Sequence, residues 1–456
     1  MGHASAKAEN ISPVPPEEVA TVAAVNANAS TWDDIAYGMM AKQKVAFLIM
    51  GGGQGTRLGF DKAKGMYDIL LPSRKSIFQL QAERLLKLHR LIKLKYPESD
   101  VRIPLYLMTS PLNHSETQQF FIDNQYFGLA KEDVFFFEQG TLPCFTPDGK
   151  VIMENKFTVS QAPDGNGGIY RSLVESGAFE DMEKRRIEYV HVSSVDNAIA
   201  KVADSTFIGF CQSRQADVGN KGCAKISWDE RVGVMALKDG KYNIVEYSEI
   251  GDGMAQSLGS DGRLLYSTGN ICNHLFSFAF LRDVAIPSSM FSYHVAHKKI
   301  PCANYETGET ETPAEINGVK LEMFIFDVFP FAKTMGIMEC TRSEEFSPVK
   351  NAPGAESDTP ENAREMIMKL HTQWLIAAGG KVQGDAGCEI SSLVSLLGEG
   401  LEAICSGMDE PFKTPGFICQ ENEVSSENVM IVSKPSSEVK ISFSQNDSGI
   451  HIYQIS

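Results

Sequence analysis

The chain has 456 residues, of which 43% are hydrophobic and 22% charged, so it has the composition of a globular protein long enough for two or three structural units. A formal net charge of -16 argues against a general affinity for nucleic acid or anionic membrane, because an acidic surface repels both. A small anionic substrate stays open, since a few arginines and lysines in a cleft can set the local field.

Neither the N-terminus nor the cysteines indicate export. No basic stretch followed by an apolar core opens the chain, and no run of about 18 apolar residues is present. The nine cysteines include no C-x-x-C pair, so reduced buried thiols are expected rather than a zinc site or a disulfide framework. The expected location is the cytoplasm, with no membrane partner.

Apolar runs that alternate with helix-like segments predict an α/β fold. The run Val45–Met50 stops at three glycines, as a parallel strand buried on both faces does, and apolar spacing predicts a helix over 77–96. Further strands are predicted over 103–108, 134–137 and 189–192. This alternation predicts a Rossmann-like, mixed but mostly parallel sheet, with ligands bound beyond the carboxyl ends of its strands.

Composition divides the chain into three parts. Residues 1–43 form a loose lead-in or a helical segment, and 44–355 form the main domain. Residues 356–365 are polar and contain proline, which is typical of a linker. The end of the 356–456 module alternates apolar and polar residues, as at 429–432, 439–443 and 450–453, which predicts a small β-rich module.

The glycine-rich segment 51–57 after the first strand is the main candidate for chemistry. Glycines let backbone N–H groups converge on phosphate oxygens, and the cations Arg57 and Lys64 follow. The order fits neither a P-loop nor the dinucleotide pattern. Two cations suit the pyrophosphate that leaves a nucleoside triphosphate, whereas the alternative is a tight strand-to-helix turn with solvated charges.

Two other segments are weaker signals by themselves. Asp196 follows a predicted strand, where a carboxylate could hold Mg²⁺ beside a triphosphate, or serve only as a helix cap or turn residue. The sequence Gly165-Asn166-Gly167-Gly168 could approach a base or a sugar, or be an ordinary loop. No H-x-x-x-H or H-E-x-x-H spacing occurs, so a histidine-bound metal is not expected.

Several segments together resemble the eukaryotic-type UDP-N-acetylhexosamine pyrophosphorylases, also called UDP-N-acetylglucosamine diphosphorylases. They occur in the family's order across about residues 44–355, which one loop motif could not do. The segments are GGGQGTRLG at 51–59, KGMYDILLPSRKSIFQLQAERL at 64–85, FEQGTLPC at 137–144, APDGNGGIYRSL at 162–173, VDNAIAKVADSTFIGF at 195–210, VEYSEI at 245–250, GNICNHLFSFAFLRDV at 269–284, FDVFPFAK at 326–333 and EEFSPVKNA at 344–352.

The resemblance implies a nucleotidyltransferase core in which UTP lies over the glycine-rich turn. It assigns backbone contacts with the nucleotide to Met50, Gly51, Gly52 and Gly53, and uracil recognition to Gln139 and Gly165. Asp196 matches an aspartate that contacts metal and nucleotide. The residues that match the N-acetylhexosamine site are Asn166, Gly233, Glu246, Tyr247 and Asn270.

The implied reaction joins UTP and an N-acetylhexosamine 1-phosphate and releases pyrophosphate, with Mg²⁺ as cofactor. Both reactants are polyanions, so positioning and cations suffice for in-line attack on the α-phosphorus. Arg57 and Lys64 are assigned to the α-phosphate and the leaving pyrophosphate, and Lys350 to the attacking phosphate. A monomer or a homodimer is expected, and the choice between N-acetylglucosamine and N-acetylgalactosamine stays open.

One departure and two alternatives accompany this interpretation. The family has a proline directly before the lysine, whereas this chain has Ala63 and an additional Lys62, so either Lys62 or Lys64 could be the main phosphate contact. Lys64 is preferred because Gly65 and Met66 follow it as in the family. The alternatives are a UDP-glucose or broad UDP-sugar pyrophosphorylase, and a catalytically silent protein that binds nucleotide sugars.

Overall fold

The computed structural model describes residues 10–285, 287, 293–424, 430–431 and 438–456. Residues 1–9 of the expected lead-in, and Val429 and Val432 of one predicted strand, lie outside the described residues. Within the described ranges, no helix combines the length and the apolar character that crossing a bilayer requires.

A mixed sheet of 11 strands forms the centre of the described structure. Its strands are β1 (Ile11–Ser12), β2 (Val19–Ala20), β3 (Val45–Met50), β4 (Leu105–Thr109), β5 (Val134–Glu138), β6 (Tyr189–Ser194), β7 (Val218–Ala224), β8 (Val234–Lys238), β9 (Lys241–Val245), β10 (Thr268–Ser277) and β11 (Met335–Cys340). The main path is β2-β11-β7-β10-β6-β3-β4-β5, with β8 beside β10, and β1 and β9 beside β8. On the main path only β10 is antiparallel to its neighbours, which confirms the predicted mixed, mostly parallel sheet.

The helices lie between these strands and after them. They are α1 (Val22–Ala41), α2 (Ile77–Lys95), α3 (His114–Asp123), α4 (Ile169–Glu175), α5 (Ala178–Lys184), α6 (Ser205–Ser213), α7 (Tyr247–Ile250), α8 (Asp252–Ala255), α9 (Phe278–Phe280), α10 (Arg342–Glu345), α11 (Pro360–Ala377) and α12 (Leu401–Gly407). Short strands pair outside the main sheet: Thr141–Pro143 with Gln161–Pro163, His294–Lys298 with Gly318–Glu322, Cys302–Ala303 with Thr310–Glu311, and Val382–Gln383 with Phe412–Lys413.

Strand β3 shows why the sheet is covered on both faces. All six of its residues are buried, and successive side chains point to opposite sides. Phe47 and Ile49 belong to a core that includes α1, α2 and α6, whereas Ala46 and Leu48 belong to a core that includes α4 and α5. Because both faces are covered by helices, the open places for a ligand are the strand ends.

The segment 10–43 is built into the main sheet. Strand β1 pairs with β8, β2 pairs with β11, and α1 packs against α6. The two helices cross closely, because a Cβ at Gly209 would lie 1.8 Å from the carbonyl oxygen of Trp32. The described part of residues 1–43 is therefore not a loose lead-in, which was one of the two expectations. It contains helix α1, which fits the other expectation.

The C-terminal module has a second sheet and its own apolar core. The strands are β12 (Cys388–Ile390), β13 (Gly416–Gln420), β14 (Met430–Ile431), β15 (Ile441–Gln445) and β16 (His451–Ile455), in the order β12-β13-β16-β15-β14. This arrangement confirms the small β-rich module.

The polar segment 356–365 is not a linker throughout. Helix α11 begins at Pro360, and the Thr359 side chain accepts a hydrogen bond from the N–H of Asn362 at its start. Proline and polar residues therefore mark a helix N-terminus here, a pattern that resembles a linker in composition. Helix α11 contributes Ile367 to the main core and Leu375 to the C-terminal core, so it packs into both parts.

Buried polar contacts also fasten the C-terminal module to the main domain. The backbone N–H and the hydroxyl of Ser73 both donate to Glu389, at 2.7 Å each. Burial raises the pKa of Glu389 to about 7, against the effect of these bonds. Nearby, Lys75 bridges Glu83 at 2.6 Å and Glu423 at 2.7 Å.

Candidate active site

The glycine-rich turn lies at the carboxyl end of β3, and backbone hydrogen bonds fix its two ends. The N–H of Gly51 donates to Met108 O at 2.7 Å, and the N–H of Lys64 donates to Gly53 O at 3.0 Å. A Cβ at Gly53 would meet nothing within 4 Å, so this glycine borders open space. The turn therefore leaves bare backbone exposed at Gly53, which gives an anion room to approach.

Close packing fixes the backbone directly after Lys64. A Cβ at Gly65 would lie 2.2 Å from the ring of Phe78, a position that only glycine can occupy without displacing the ring. Phe78 is buried in the first turn of α2. The base of the Lys64 side chain is thus anchored by the helix that follows the turn.

Lys64 and Asp196 face each other across the carboxyl ends of β3 and β6. Lys64 Nζ lies 4.0 Å from Asp196 Oδ2, and the two side chains are only 14% and 16% exposed. Burial lowers the pKa of Lys64; the carboxylate of Asp196 opposes this shift, while the charges of Lys350 and Arg57 add to it. Arg57 itself is exposed. Lys64 therefore faces Asp196 directly, and Arg57 and Lys350 are near enough for their charges to act on Lys64.

Lys62 points to a different partner. Its Nζ lies 3.5 Å from Glu116 Oε1 on α3, and both side chains are about half exposed. The geometry thus separates the two lysines that the sequence left as alternatives, and it is Lys64 that faces Asp196.

A backbone bridge brings Lys350 to the same place from more than 150 residues away. The N–H of Val349 donates to Asp196 O at 2.8 Å, and Asn197 pairs with Pro348 in an isolated antiparallel bridge. Lys350 Nζ lies 4.0 Å from Asp358 Oδ2 and above the ring of Phe346. Lys350 is half exposed and lines a cleft of about 660 Å³.

A buried network of ion pairs lies next to this backbone bridge. Lys221 is fully buried and contacts the carboxylates of Asp204 and Glu345, the latter at 2.6 Å. Lys201 pairs with the other oxygen of Glu345 at 2.9 Å. The side-chain amide of Asn197 donates to the backbone carbonyl of Glu345 at 2.7 Å, which ties the network to the residue after Asp196.

The predicted base-recognition residues form a second group at the end of β5. Gln139 Nε2 donates to Gly165 O at 2.6 Å and to Asp164 Oδ1 at 3.2 Å. A Cβ at Gly52 would lie 3.0 Å from Gln139 Oε1, so this group adjoins the glycine-rich turn. Gly165 has a φ of +88°, and a Cβ there would strike Met323 O at 2.2 Å. The turn at 165 therefore requires glycine.

The residues predicted to hold the sugar also lie together. Asn166 Nδ2 lies 3.7 Å from Cys272 Sγ, and the Cys272 N–H donates to Asn270 Oδ1 at 3.0 Å. The Asn270 N–H donates to Gly233 O at 2.8 Å, and a Cβ at Gly233 would lie 3.0 Å from Glu246 Oε1. Hydrogen bonds and close approaches thus form one chain from Asn166 to Glu246.

Burial and nearby charges shift the pKa of two side chains in this series of contacts, Glu246 and Cys272. Burial raises the pKa of Glu246, with Glu249 adding to the shift and His294 opposing it. Burial also raises the pKa of the Cys272 thiol to about 12, and the charge of Asp196 contributes. The charge of Asp196 therefore acts on Cys272, which contacts Asn166 and Asn270 of the residues predicted to hold the sugar. Tyr247, at the start of α7, is half exposed.

Met50 completes the predicted set at the end of β3. Its carbonyl oxygen accepts from the N–H of Val195 at 3.2 Å, which joins the β3 end to the residue before Asp196. The predicted residues therefore fall into three sets, named here by their predicted ligand: the cation cluster (Arg57, Lys64 and Lys350, with Asp196), the base group (Gln139 and Gly165) and the sugar group (Asn166, Gly233, Glu246, Tyr247 and Asn270).

Three neighbours of this site were missing from the sequence-based set. Cys272 has a φ of +55° at an irregularity of β10, between Asn270 and Asn273, where no sequence pattern marks a bulge. Asp164 touches Gln139, and its place inside APDGNGG could have drawn attention to it. Arg231 lines a cleft of about 660 Å³ together with Lys350, and its place next to Val232-Gly233 was the available signal.

The site offers a divalent cation one carboxylate rather than a cage. Among the described residues, no group of three or more His, Cys, Asp or Glu side chains could hold a metal ion. Asp196 supplies one hard oxygen ligand and lies beside cations that are predicted to bind phosphate. This arrangement suits Mg²⁺, which takes its remaining ligands from phosphate and water. The donor set therefore fits a cation that arrives with a triphosphate.

Comparison with known proteins agrees with this geometry. Residues 2–378 match the family model described as UTP--glucose-1-phosphate uridylyltransferase. The chain is 44% identical to UDP-N-acetylglucosamine diphosphorylase 2 of Arabidopsis thaliana, over 87% of this chain and 80% of the relative. It belongs to the UDP-N-acetylglucosamine pyrophosphorylase family.

Further similarities extend the family assignment to the structure. The chain is 43% identical to UDP-N-acetylhexosamine pyrophosphorylase-like protein 1 of Xenopus tropicalis, over 88% of this chain and 82% of the relative. The crystal structure of the Trypanosoma brucei UDP-N-acetylglucosamine pyrophosphorylase superposes with a TM-score of 0.78 at 35% identity, covering 86% of this chain and 82% of that one. Both the sequence and the fold of this family therefore extend over most of the chain.

Proposed function

We propose that the chain is a uridylyltransferase that makes UDP-N-acetylglucosamine and pyrophosphate from UTP and N-acetylglucosamine 1-phosphate. The observation that carries the proposal is the contact of Lys64 with Asp196 beside the glycine-rich turn, with Arg57 and Lys350 near enough for their charges to act on Lys64. The family's relatives bear this activity in their names, and the site has the charge that two polyanionic reactants need.

In this proposal UTP lies along the edge of the sheet, from the base group to the cation cluster. Gln139 and Gly165 recognise uracil, and the backbone of residues 50–53 follows the phosphates. The short approach of Gln139 Oε1 to Gly52 supports this course, because it puts the base group directly beside the turn. Asn166, Gly233, Glu246, Tyr247 and Asn270 hold the N-acetylhexosamine.

The chemistry is an in-line displacement at the α-phosphorus. A phosphate oxygen of the sugar 1-phosphate bonds to the α-phosphorus, while the bond to the oxygen bridging to the β-phosphorus breaks and pyrophosphate leaves. Lys64 and Arg57 stabilise the α-phosphate and the departing charge, and Lys350 orients the attacking phosphate. No side chain needs to exchange a proton, because the nucleophile is already an anion.

Mg²⁺ is proposed as the cofactor, held by Asp196 and the substrate phosphates. When bound, it neutralises phosphate charge and so lowers the repulsion between the two reactants. Asp196 also acts on Lys64, because its carboxylate opposes the lowering of the Lys64 pKa by burial. This contact favours the ammonium form of Lys64, which is the form that attracts a triphosphate.

A panel of sugar 1-phosphates with UTP and Mg²⁺, followed by pyrophosphate release, tests the proposal. N-acetylglucosamine 1-phosphate should give the highest kcat/KM, N-acetylgalactosamine 1-phosphate a measurable one, and glucose 1-phosphate a value about 100-fold lower, since it lacks the acetamido contacts. Chelation with EDTA should abolish turnover. Preference for glucose 1-phosphate would instead identify a UDP-glucose pyrophosphorylase, and binding without turnover a silent nucleotide-sugar-binding protein.

We also propose that the protein acts in the cytoplasm, as a monomer or a homodimer. Cell fractionation with an antibody to the chain, and sedimentation of the purified chain across concentrations, measure these two properties. Recovery in a membrane fraction or a larger assembly would contradict them.

A further inference from the structure

A buried carboxylate lies directly behind the proposed uracil-recognition residue. Asp164 is 2% exposed, and its Oδ1 accepts a hydrogen bond from Gln139 Nε2 at 3.2 Å. The same Nε2 donates to the carbonyl oxygen of Gly165 at 2.6 Å. Neither the resemblance nor the sequence-based reasoning gives Asp164 a role.

These two contacts fix which way the Gln139 amide faces. A backbone carbonyl and an ionised carboxylate are acceptors only, so both must meet the NH₂ end of the amide. The carbonyl end is then turned to the opposite side, where Oε1 faces the position that a Cβ of Gly52 would occupy, 3.0 Å away. Reversing the amide would place two oxygens 2.6 Å apart, at Gly165 O.

The chain builds a close-fitting site around Asp164. Its N–H donates to Gly140 O at 3.1 Å, and its carbonyl accepts from the N–H of Met323 at 2.7 Å. A Cβ at Gly140 would lie 2.6 Å from the carboxylate, and one at Gly168 only 2.0 Å from it. The two glycines therefore make room for this carboxylate, and the backbone bonds hold it in place.

The orientation of Gln139 matters because uracil and cytosine differ at N3. Uracil carries an N3–H donor, whereas N3 of cytosine is an acceptor with a lone pair. An amide that presents only its carbonyl oxygen accepts from uracil N3–H and opposes cytosine N3. An amide free to rotate could satisfy either base, so the discrimination depends on what holds the amide.

We propose that Asp164 is a positioning residue that makes the site specific for a uracil nucleotide, by locking the Gln139 carbonyl oxygen toward the base. The inference rests on the proposed function, because it requires that Gln139 meets the base of the nucleoside triphosphate. It adds a residue that selects the base without touching it.

The charge state of Asp164 agrees with this role. Burial raises the pKa of Asp164 to about 6, while the hydrogen bond from Gln139 acts in the opposite direction. A carboxyl group with this pKa is mostly ionised between pH 7 and 8 and acts as an acceptor. The fold thus keeps a desolvated carboxylate that accepts a hydrogen bond from the side chain of Gln139.

The test compares UTP with CTP in the full-length enzyme and in Asp164→Asn. Asparagine removes the charged acceptor and can turn its own NH₂ toward Gln139, so that the Gly165 carbonyl alone still holds the amide in its direction. We expect the ratio of kcat/KM for UTP to that for CTP to fall about 10- to 100-fold, the loss expected for a hydrogen bond to a charged group. Asp181→Asn is the matched control, because Asp181 is a partly buried carboxylate bonded to Tyr106 and Arg185 instead. Its UTP/CTP ratio should stay unchanged.

A wild-type measurement keeps the inference testable if Asp164→Asn fails to fold. N3-methyl-UTP has no N3–H, and we expect wild-type enzyme to use it at least about 10-fold less well than UTP. In the double variant with Gln139→Ala, adding Asp164→Asn should change the UTP/CTP ratio no further, because the residue through which it acts is gone.

The failure modes are distinct. An unchanged UTP/CTP ratio in folded Asp164→Asn, or equal use of N3-methyl-UTP and UTP by wild-type enzyme, overturns the role of Asp164 and leaves the uridylyltransferase intact. Absence of any turnover of UTP by the wild type overturns the proposed function itself.

Discussion

Replacing Lys64 with methionine separates the catalytic charge from the packing of its side chain. The substitution keeps a long apolar stem and removes the ammonium group that lies 4.0 Å from Asp196. Two unit charges at about 4 Å interact by about 4 kcal/mol at an effective dielectric constant of about 20. If the transition-state phosphates gain most of this energy from Lys64, kcat falls about 100- to 1,000-fold.

Stability should not fall with activity in Lys64→Met. Burial lowers the pKa of Lys64, so its protonated form is less favourable in the folded chain than in the unfolded chain. Removing the ammonium group ends this desolvation cost and gives up the attraction to Asp196, which is the smaller of the two effects, so we expect Tm to change by less than about 3 °C. Steady-state pyrophosphate release and thermal unfolding on the same preparation measure both quantities.

Lys62→Met is the matched control for this prediction. Lys62 occupies the same loop and carries the same charge, but it is half exposed and pairs with Glu116. An exposed pair of this kind contributes little, so kcat should stay within about threefold of wild type. Comparable losses in the two variants, or near-normal turnover in Lys64→Met, would refute the assignment of Lys64 to the phosphates.

Three further predictions use contrasts within the structure. Gly53→Ala should reduce kcat/KM by hindering phosphate approach, while it changes stability by less than about 1 kcal/mol. Gly65→Ala should instead destabilise the fold by about 1–3 kcal/mol, because its new methyl group clashes with Phe78. Urea unfolding measures both stabilities, and equal values would contradict the packing argument. Lys221→Met leaves the buried carboxylate of Asp204 without its ammonium partner and leaves Glu345 with Lys201 alone, so the free energy of unfolding should drop by about 3–5 kcal/mol, and a variant of wild-type stability would show that the network is dispensable. The pKa of Glu389 is raised in the folded state, so its stabilising effect is present below about pH 4.5 and is lost as pH rises through about 7; Glu389→Gln should flatten this decline in Tm, and an unchanged pH profile would rule the effect out.

The parts of the fold that depend on local pattern were predictable from sequence. The run at Val45–Met50 is a strand at the predicted residues, and the 77–96 helix ends one residue early, at Lys95. The strand predicted from residue 103 begins only at Leu105. Buried strands and amphipathic helices have periods that a short window shows, while their ends depend on which residues find a partner.

The location of the cleft was also predictable, because it follows from where the strands end. The contacts between residues inside the cleft were not predictable. Strand ends followed by Gly51, Gln139 and Asp196 indicated one shared edge of the sheet, and the structure brings them to that edge. The fixing of Lys350 required a bridge between residues 197 and 348, which are distant in sequence. No local pattern encodes such a pairing.

Asp164 shows the same limit at the level of a single side chain. In the sequence it is one carboxylate before Gly165, and a solvated turn is the ordinary interpretation of Asp-Gly. Its burial arises from Gly140 and Gly168, whose missing side chains make room for it. That relation exists only after the chain has folded.

The central claim, transfer of a uridylyl group onto N-acetylglucosamine 1-phosphate, is tested most directly by following the α-phosphorus. The purified chain is incubated with UTP labelled at the α-phosphorus, N-acetylglucosamine 1-phosphate and Mg²⁺, and the products are separated. All transferred label should appear in UDP-N-acetylglucosamine, with one pyrophosphate released per labelled product, and Lys64→Met should slow both equally. Label that remains in UTP, or that appears in UMP without sugar attached, would contradict the account.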